Sequence, residues 1–175
     1  AALYRMDLED EIAYDGSLFS NVNLDNTRRQ GLELEGDWRI VPSLLARATY
    51  TYTDSTFREG MYDGKQIPLV PHNKASARLS WDGNALGTYT AVVNYVGQQY
   101  YSGDFSNVQN KMSGYTTADF MAGWNFKPWS ISARLLNAFD KKYSPYAGYS
   151  TFRSDYYYYP ADGRTFLMTA SYNFR

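Results

Sequence analysis

The last stretch of the chain, residues 163–175, alternates between apolar and polar side chains. From Thr165 onward, every second position is apolar, and the positions between are mostly small and polar. The apolar set is Phe166, Met168, Ala170, Tyr172 and Phe174. Because successive side chains of a β-strand point to opposite faces, this period of two predicts a strand with one apolar face.

The same alternation recurs backwards through the chain and predicts about eight strands. They cover residues 3–14, 31–40, 44–53, 74–81, 88–98, 115–126, 129–139 and 165–175, with Asp10 interrupting the apolar face of the first. Long connections at 15–26, 54–73, 99–113 and 140–162 take turns with short ones at 41–43, 82–87 and 127–128. Strands with short turns on one rim and long loops on the other are typical of bacterial outer-membrane barrels.

Aromatic side chains collect near the predicted short turns, as they do at membrane interfaces. They are Trp38, Trp81, Trp124, Phe126, Trp129, Tyr172 and Phe174. We therefore predict an all-β fold, an antiparallel transmembrane β-barrel wall. The side chains predicted to face lipid are Trp38, Ala46, Trp81, Tyr89, Phe120, Trp124, Ile131, Phe166 and Met168.

Composition agrees with this prediction and excludes other classes. No window approaches the roughly 20 consecutive apolar residues that a spanning helix needs, whereas alternating barrel strands keep hydropathy near neutral. The formal net charge of −1 leaves no electrostatic footprint for nucleic acid. The sequence opens inside a strand pattern without a charged, apolar leader. We expect it to be part of something longer, with residues 1–175 forming one barrel segment.

Most charged side chains fall on the face opposite the aromatic one, which predicts a polar lumen. Two acidic runs, Asp7-x-Glu9-x-Glu11 and Glu33-x-Glu35-x-Asp37, each place three carboxylates on one predicted strand face. A cation site is one interpretation, since hard cations bind several oxygens together. Same-face residues of one strand lie roughly 7 Å apart, too far for one strand to form a cage. A charged lumen wall is the interpretation that we favour.

No constellation of residues predicts an enzyme, because catalysis needs converging titratable groups in a pocket. The single histidine, His72, lies in a proline-flanked loop and fits the entry to a strand better than a metal or haem ligand. The longest connection is unusually rich in tyrosine. Its candidate ligand-binding residues are Tyr146, Tyr149, Arg153, Tyr156, Tyr157, Tyr158 and Tyr159. Tyrosine and arginine suit recognition, but an aromatic girdle or self-packing of the loop explains them equally well.

Several local stretches resemble one family. The order is Gly31-Leu32-Glu33-Leu34-Glu35, then Tyr50-Thr51-Tyr52-Thr53-Asp54, Pro68-Leu69-Val70-Pro71-His72-Asn73, Asn137-Ala138-Phe139-Asp140-Lys141-Lys142-Tyr143 and the strand that follows Gly163-Arg164. These are similar to the G-x-E-x-E, Y-x-Y-T-D, P-x-x-P-x-H/N and N-L-F-D-x-x-Y segments and the terminal strand of TonB-dependent outer-membrane receptors. Ala138 replaces the usual leucine, and Arg175 follows the aromatic residue on which the family usually stops.

The resemblance implies that this sequence is the C-terminal part of a barrel of about 22 strands that surrounds a plug domain. The plug and the earlier strands are not in this sequence. It implies import of a metal chelate, by preference a ferric siderophore, with no covalently bound cofactor. The implied partners are outer-membrane lipid and lipopolysaccharide, the plug and remaining strands, the TonB–ExbB–ExbD energy-coupling complex, and the outer-membrane assembly machinery. Glu33 and Glu35 become candidates for plug contacts, and Tyr172 and Phe174 for the assembly signal.

Two other classes remain open from the residues alone. A small eight-stranded barrel closed on itself, structural or adhesive, would have to pack both acidic runs together at a heavy desolvation cost. A soluble lipocalin-like carrier would put its apolar face inward and its charges outward.

Overall fold

The computed structural model describes residues 1–15, 20–150 and 152–174, and its regular secondary structure is almost wholly antiparallel strand. In chain order the strands are β1 (Ala2–Leu8), β2 (Ile12–Asp15), β3 (Ser20–Asn23), β4 (Thr27–Val41), β5 (Leu44–Phe57), β6 (Asn73–Asp82), β7 (Thr88–Val96), β8 (Tyr115–Phe126), β9 (Trp129–Leu136), β10 (Tyr146–Ser150), β11 (Asp155–Tyr159) and β12 (Thr165–Tyr172). Two 3₁₀ turns, Gly60–Tyr62 and Asn84–Leu86, lie in connections. In the described part of the chain, no helix has the length and apolarity needed to cross a membrane.

Eight strands form one sheet in the order β1-β4-β5-β6-β7-β8-β9-β12, each paired antiparallel with its neighbour. This confirms the predicted number and order of wall strands. The remaining four strands form two hairpins, β2–β3 and β10–β11. Strands β3, β10 and β11 lie in long connections that were predicted to be loops, whereas β2 lies mostly in the predicted first strand. Among the described residues no ladder joins β1 to β12, so the eight strands form an open wall and not a small closed barrel.

The register confirms the two faces predicted for β4 to β12. One row of cross-strand partners runs Trp38, Ala46, Leu79, Ala91, Phe120, Leu135 and Phe166. The adjacent rows place Trp81, Tyr89, Trp124, Ile131 and Met168 on the same face, which we call the outer face. Cross-strand partners share a face, so all nine side chains predicted to face lipid lie together.

The opposite, inner face is polar. Its ladder pairs Asp37 with Arg47, whose Nε and Nη2 donate to the Asp37 carboxylate at 2.6 and 2.8 Å. The predicted tight hairpin at Pro42 therefore has the expected register. Glu33 and Glu35 lie on this face too, because they alternate with the outer-face residues Leu32 and Leu34.

The prediction for the first strand is wrong in its length and in its faces. Asp10 has a φ of 54°, in the left-handed region, and ends the extended run, so residues 3–14 divide into β1 and β2. The ladder to β4 pairs Leu3 with Leu32 and Asp7 with Arg28, which puts Asp7 on the outer face and Tyr4 on the inner one. Asp7, Glu9 and Glu11 therefore do not line one wall.

Strand ends also differ from the prediction. β4 and β5 continue to Thr27 and Phe57 on the long-connection side, whereas β7 and β9 stop at Val96 and Leu136. The extension has a packing reason, because Thr27 and Phe57 pair with each other and both are almost fully buried. Phe57 is covered by residues of several connections, among them Leu24, Ile67 and Phe105.

Two apolar clusters on the long-connection side hold the outer loops together. The first consists of Leu24, Phe57, Ile67 and Phe105, with the rings of Phe57 and Phe105 edge to face at 5.9 Å. The second consists of Tyr101, Met112 and Ala147. Each cluster takes residues from different connections, so the loops form a packed layer at one end of the wall.

Candidate functional site

The tyrosine-rich connection folds into the hairpin β10–β11, which we call the tyrosine hairpin. Tyr146 pairs with Tyr159 and Tyr149 with Tyr156, so alternate tyrosines point to opposite sides. β10 also pairs on its other edge with the neighbouring connection, because Ser102 N–H donates to Ala147 O at 3.0 Å and Tyr149 N–H donates to Ser102 O at 3.1 Å. The hairpin is thus held by a third backbone segment.

One side of the hairpin packs against the loop layer. Tyr149 and Tyr156 lie against the cluster of Tyr101, Met112 and Ala147, and the Tyr101 and Tyr156 rings are 4.6 Å apart. The hydroxyls of Tyr101 and Tyr158 are 3.2 Å apart. Burial and this hydroxyl contact raise the pKa of Tyr101 to about 12. This side matches the self-packing interpretation of the loop.

The other side of the hairpin lines an open cavity of about 670 Å³. The residues around it are Tyr14, Tyr146, Ser150, Arg153, Asp155, Tyr156, Tyr157 and Tyr159. Of these, Tyr156 pairs with Tyr149 and so belongs to the packed side as well. Burial and a hydrogen bond to Tyr146 raise the pKa of Tyr157 to about 12. Protonated phenols remain hydrogen-bond donors, so this side offers hydroxyl donors and aromatic faces together. Arg153 forms none of the ion pairs found among the described residues.

Gly148 makes this arrangement possible. It pairs with Tyr157, and a Cβ at Gly148 would lie only 2.1 Å from the Tyr157 ring. Any larger residue would clash with the ring and displace it. The position of Tyr157 in the wall therefore depends on a glycine in the facing strand.

A side-chain clamp ties the start of the tyrosine-rich connection to its end. Asn137 Nδ2 donates to Lys141 O at 3.0 Å and to Asp162 O at 3.3 Å, while its Oδ1 accepts from Lys141 N–H at 2.9 Å. Asp140 Oδ1 accepts from Arg164 N–H at 2.9 Å. That bond, with Lys142 beside it, holds the pKa of Asp140 below its usual range. The Asn137-to-Tyr143 motif thus has a structural role.

The other candidates lie away from the cavity. His72 precedes β6, its ring pairs with the Gln66 amide, and its carbonyl accepts from Thr53 N–H at 2.9 Å, as a strand-entry residue would. Glu33 and Glu35 are exposed on the inner face, with Glu35 Oε1 3.9 Å from Arg47 Nε. Among the described residues, no group of three or more histidine or carboxylate side chains is placed to hold a metal ion.

The terminal aromatic residues lie at the opposite rim. Tyr172 meets Trp129 edge to face at 4.9 Å and Phe174 at 4.8 Å. Phe174 itself is 90% exposed. Arg175, the departure from the family pattern, lies outside the described residues.

The site includes residues that sequence reasoning missed. Tyr14 and Asp155 line the cavity, and Ser102 bonds to the hairpin through its backbone and through its hydroxyl, which accepts from the Tyr146 hydroxyl at 3.0 Å. Tyr14 was the last residue of a predicted wall strand, so its position in the sequence did not suggest a place in the cavity. Nothing in the sequence indicated a role for Ser102, because that role depends on contact with Tyr146, which is 44 residues away in sequence.

The comparison with family models identifies the protein family of this chain. The model described as "TonB dependent receptor-like, beta-barrel" matches residues 1–138, most of the chain. The chain belongs to the TonB-dependent receptor family. Members of this family are receptors of the Gram-negative outer membrane and not enzymes, which agrees with a wall that has one apolar face.

Curated relatives of this receptor segment are similar over almost all of it. The catecholate siderophore receptor Fiu of Escherichia coli (strain K12) is 26% identical over 181 residues, covering 99% of this chain and 23% of the relative. The ferrioxamine B receptor of Salmonella typhimurium (strain LT2) is 28% identical over 152 residues, covering 82% of this chain and 22% of the relative. The chain therefore spans about a quarter of the length of these relatives.

Solved receptor structures have the same wall. The ferric yersiniabactin uptake receptor FyuA from Yersinia pestis superposes with a TM-score of 0.74 at 26% identity, covering 89% of this chain and 25% of that one. The siderophore receptor PiuA from Acinetobacter baumannii gives a TM-score of 0.74 at 22% identity, covering 96% and 24%. At 22% identity, the similarity to PiuA shows a shared fold and nothing more.

Proposed function

We propose that this chain is the C-terminal part of the barrel of a receptor that imports a ferric chelate, most simply a ferric siderophore, across the outer membrane. The observation that carries the proposal is the cavity on one side of the tyrosine hairpin. It lies among the long connections, which face the cell exterior in outer-membrane barrels. A capture site for an external ligand belongs at this end of the wall.

The chemistry of the cavity suits such a chelate. Tyr146, Tyr157 and Tyr159 present phenol rings and hydroxyls, and Arg153 adds a planar cation that binds anionic oxygens and stacks on aromatic faces. Rigid aromatic side chains lose little conformational entropy on binding. Relatives described as a catecholate siderophore receptor and a ferrioxamine B receptor support iron chelates as the ligand class.

In the proposed mechanism, capture at the outer loops precedes movement of the plug. Energy from the TonB–ExbB–ExbD complex would move the plug and open a path along the polar inner face. Glu33 and Glu35 are the candidates for contact with the plug, because both side chains are exposed on that face, and Glu35 meets Arg47 only at 3.9 Å in the described part of the chain. An acidic pair in this position favours basic plug side chains.

The two sides of the tyrosine hairpin allow a matched test on the full-length receptor. Replacing Tyr157, Tyr159 and Arg153 with serine removes cavity side chains, while replacing Tyr149 and Tyr158 removes packing side chains. Truncated aromatic anchors typically cost about 2 kcal/mol or more, a loss of affinity of roughly thirtyfold. We expect that loss for the cavity variant, measured as binding of ferric catecholate and ferrioxamine B.

The packing variant should instead reduce the order of the loop. Heat-modifiable gel mobility and limited proteolysis report the fold of each variant alongside its affinity. Unchanged affinity in a well-folded cavity variant would contradict the proposed site. Loss of affinity in the packing variant alone would place the ligand on the other side of the hairpin.

A further inference from the structure

The tyrosine hairpin contributes to a second cavity, which the proposed capture site does not use. Tyr158 alternates with Tyr157 and Tyr159, so it points to the other side of the hairpin, yet it is 55% exposed. It borders a space of about 400 Å³, a volume typical of ligand sites, between the hairpin, the start of β8 and residues 141–144. None of the described residues lines both cavities. The exposure of Tyr158 therefore belongs to a separate site.

The second cavity lies where the loop layer meets the inner face of the wall. Tyr115, the first residue of β8, stands in the same cross-strand row as Glu33 of β4, so it belongs to the inner face. The ring of Tyr143 stacks on the Tyr115 ring at 4.1 Å, with an interplanar angle of 27°. Both tyrosines line the second cavity. A ligand that moves from the outer loops to the inner face would therefore pass this cavity.

The lining of the second cavity is basic. Lys141 and Lys142 lie on it, and none of the described residues around it has a carboxylate side chain. Lys142 Nζ is 3.1 Å from Asp140 Oδ2, outside the lining, whereas Lys141 forms none of the ion pairs found among the described residues. The first cavity differs, because Arg153 is accompanied there by Asp155. The second cavity therefore favours an anion, which Lys141 can bind through a charge-assisted hydrogen bond.

This site is largely formed before a ligand arrives. Asn137 Nδ2 donates to the carbonyl of Lys141 at 3.0 Å, and Asn137 Oδ1 accepts from the Lys141 N–H at 2.9 Å, so both backbone groups of Lys141 are held. The stacked pair of tyrosines forms one wall, and the hydroxyl of Tyr158 lies 3.2 Å from that of Tyr101. Only the flexible lysine side chains remain to be ordered, which lowers the entropic cost of binding.

We propose that the second cavity is a further binding site for a ferric chelate with net negative charge, placed between the capture site and the inner face. The site rests on the proposed uptake function and narrows its ligand class. Each catechol loses both hydroxyl protons when it binds the ferric ion, so a complex with three catecholates stays negatively charged, whereas a complex with three hydroxamates is neutral. Lys141 would donate to a catecholate oxygen, and the exposed ring of Tyr158 would contact the catechol ring.

Equilibrium dialysis of radiolabelled ferric catecholate against the purified full-length receptor tests the proposal, because it counts the chelates bound. The parent should bind two, one in each cavity. Lys141→Gln should weaken one of the two by about tenfold or more, as expected for a lost hydrogen bond between charged groups, and leave the other unchanged. Lys141→Arg keeps the charge and should bind two. Lys65→Gln is the matched control, because Lys65 is an exposed lysine of another long connection and lines neither cavity.

The variant with serine at Tyr157, Tyr159 and Arg153 completes the assignment, because it should keep the chelate that Lys141→Gln loses. Heat-modifiable gel mobility identifies folded variants. Unchanged binding in folded Lys141→Gln, loss of both chelates in that variant, an equal loss in Lys65→Gln, or no binding of ferric catecholate by the parent would overturn the second site. Its failure alone leaves a chelate in the first cavity, whereas a parent that binds neither ferric catecholate nor ferrioxamine B contradicts the uptake function as well.

Discussion

At the scale of the residue, neighbouring side chains of β4 face opposite sides of the wall, one towards the outer face and the next towards the inner face. Trp38 lies on the outer face with its ring over Gly36, where a Cβ would be 2.7 Å from the indole. Asp37, between them in sequence, points inward to Arg47. Covering a glycine with an aromatic ring is a known device for stabilising strands. One residue of slip would exchange the lipid and lumen sides of the whole strand.

This sidedness predicts unequal effects of the same charge. Ala46 lies on the outer face between Trp38 and Leu79, and Thr49 lies on the inner face between Glu35 and Ser76. Ala46→Arg should cost about 1–2 kcal/mol of folding free energy, because a cation on the lipid face is poorly solvated and Ala46 lies between the midplane, where this cost is about 2–4 kcal/mol, and the interface at the short turns. Thr49→Arg should cost far less. Reversible unfolding of the full-length receptor in lipid vesicles measures both, and equal losses would contradict the assignment of the faces.

At the scale of the element, the tyrosine hairpin shows how a long loop acquires a fixed shape. Its two strands alone would be marginal in water. Ser102 adds a third backbone edge, the Tyr101 cluster buries one side, and Asn137 and Asp140 close the base. Asn137 has a φ of 47°, a conformation in which asparagine is enriched.

The clamp predicts a local loss of protection when Asn137 is truncated. In Asn137→Ala, the Lys141 N–H and the carbonyls of Lys141 and Asp162 lose their partner, which typically costs about 0.5–1.5 kcal/mol for each hydrogen bond. Hydrogen exchange should therefore accelerate in peptides from residues 137–164 and stay unchanged in the wall strands. Asn110→Ala, an exposed position on a neighbouring connection, is the control. Equal exchange in the two variants would show that the clamp does not hold the hairpin.

At the scale of the whole molecule, one rim carries candidate ligand contacts and the other carries the terminal aromatic residues. The cavity lies at the long-connection end, and Tyr172 and Phe174 lie beside the short turn at Pro128, where Asn173 N–H donates to Pro128 O at 3.0 Å. Between them, the inner face is a charged wall and the outer face an apolar one. This division is what the proposed uptake function requires, in which ligand enters at one rim and passes along the inner face.

Because Phe174 is exposed, its contribution to stability and its contribution to membrane assembly can be tested separately. Because this side chain is 90% exposed, Phe174→Ala should change unfolding free energy by less than about 0.5 kcal/mol. If Phe174 belongs to the assembly signal, the same substitution should lower the amount of folded receptor in the outer membrane of living cells. Phe139→Ala, which truncates a 79% exposed phenylalanine in an outer connection, is the control. Normal assembly of Phe174→Ala would remove this residue from the signal.

The sequence by itself determined the number of wall strands, their order, the alternation of long and short connections, and the two faces from β4 to β12. These features are local, because a period of two in side-chain polarity follows from strand geometry whatever the strand pairs with. The family resemblance rested on the same residues, and the match over residues 1–138 confirms it.

Only the tertiary structure decided the faces of β1, the two additional hairpins and the composition of the cavity. The faces of β1 follow from its pairing of Leu3 with Leu32, and not from its own mixed pattern. The hairpins depend on partners such as Ser102 and Tyr101, which lie about 45 residues or more away in sequence from the tyrosines they contact. The tyrosines of residues 156–159 look equivalent in the sequence. They divide between packing and cavity because a strand presents alternate side chains to opposite sides, and only the rest of the fold determines what lies on each side.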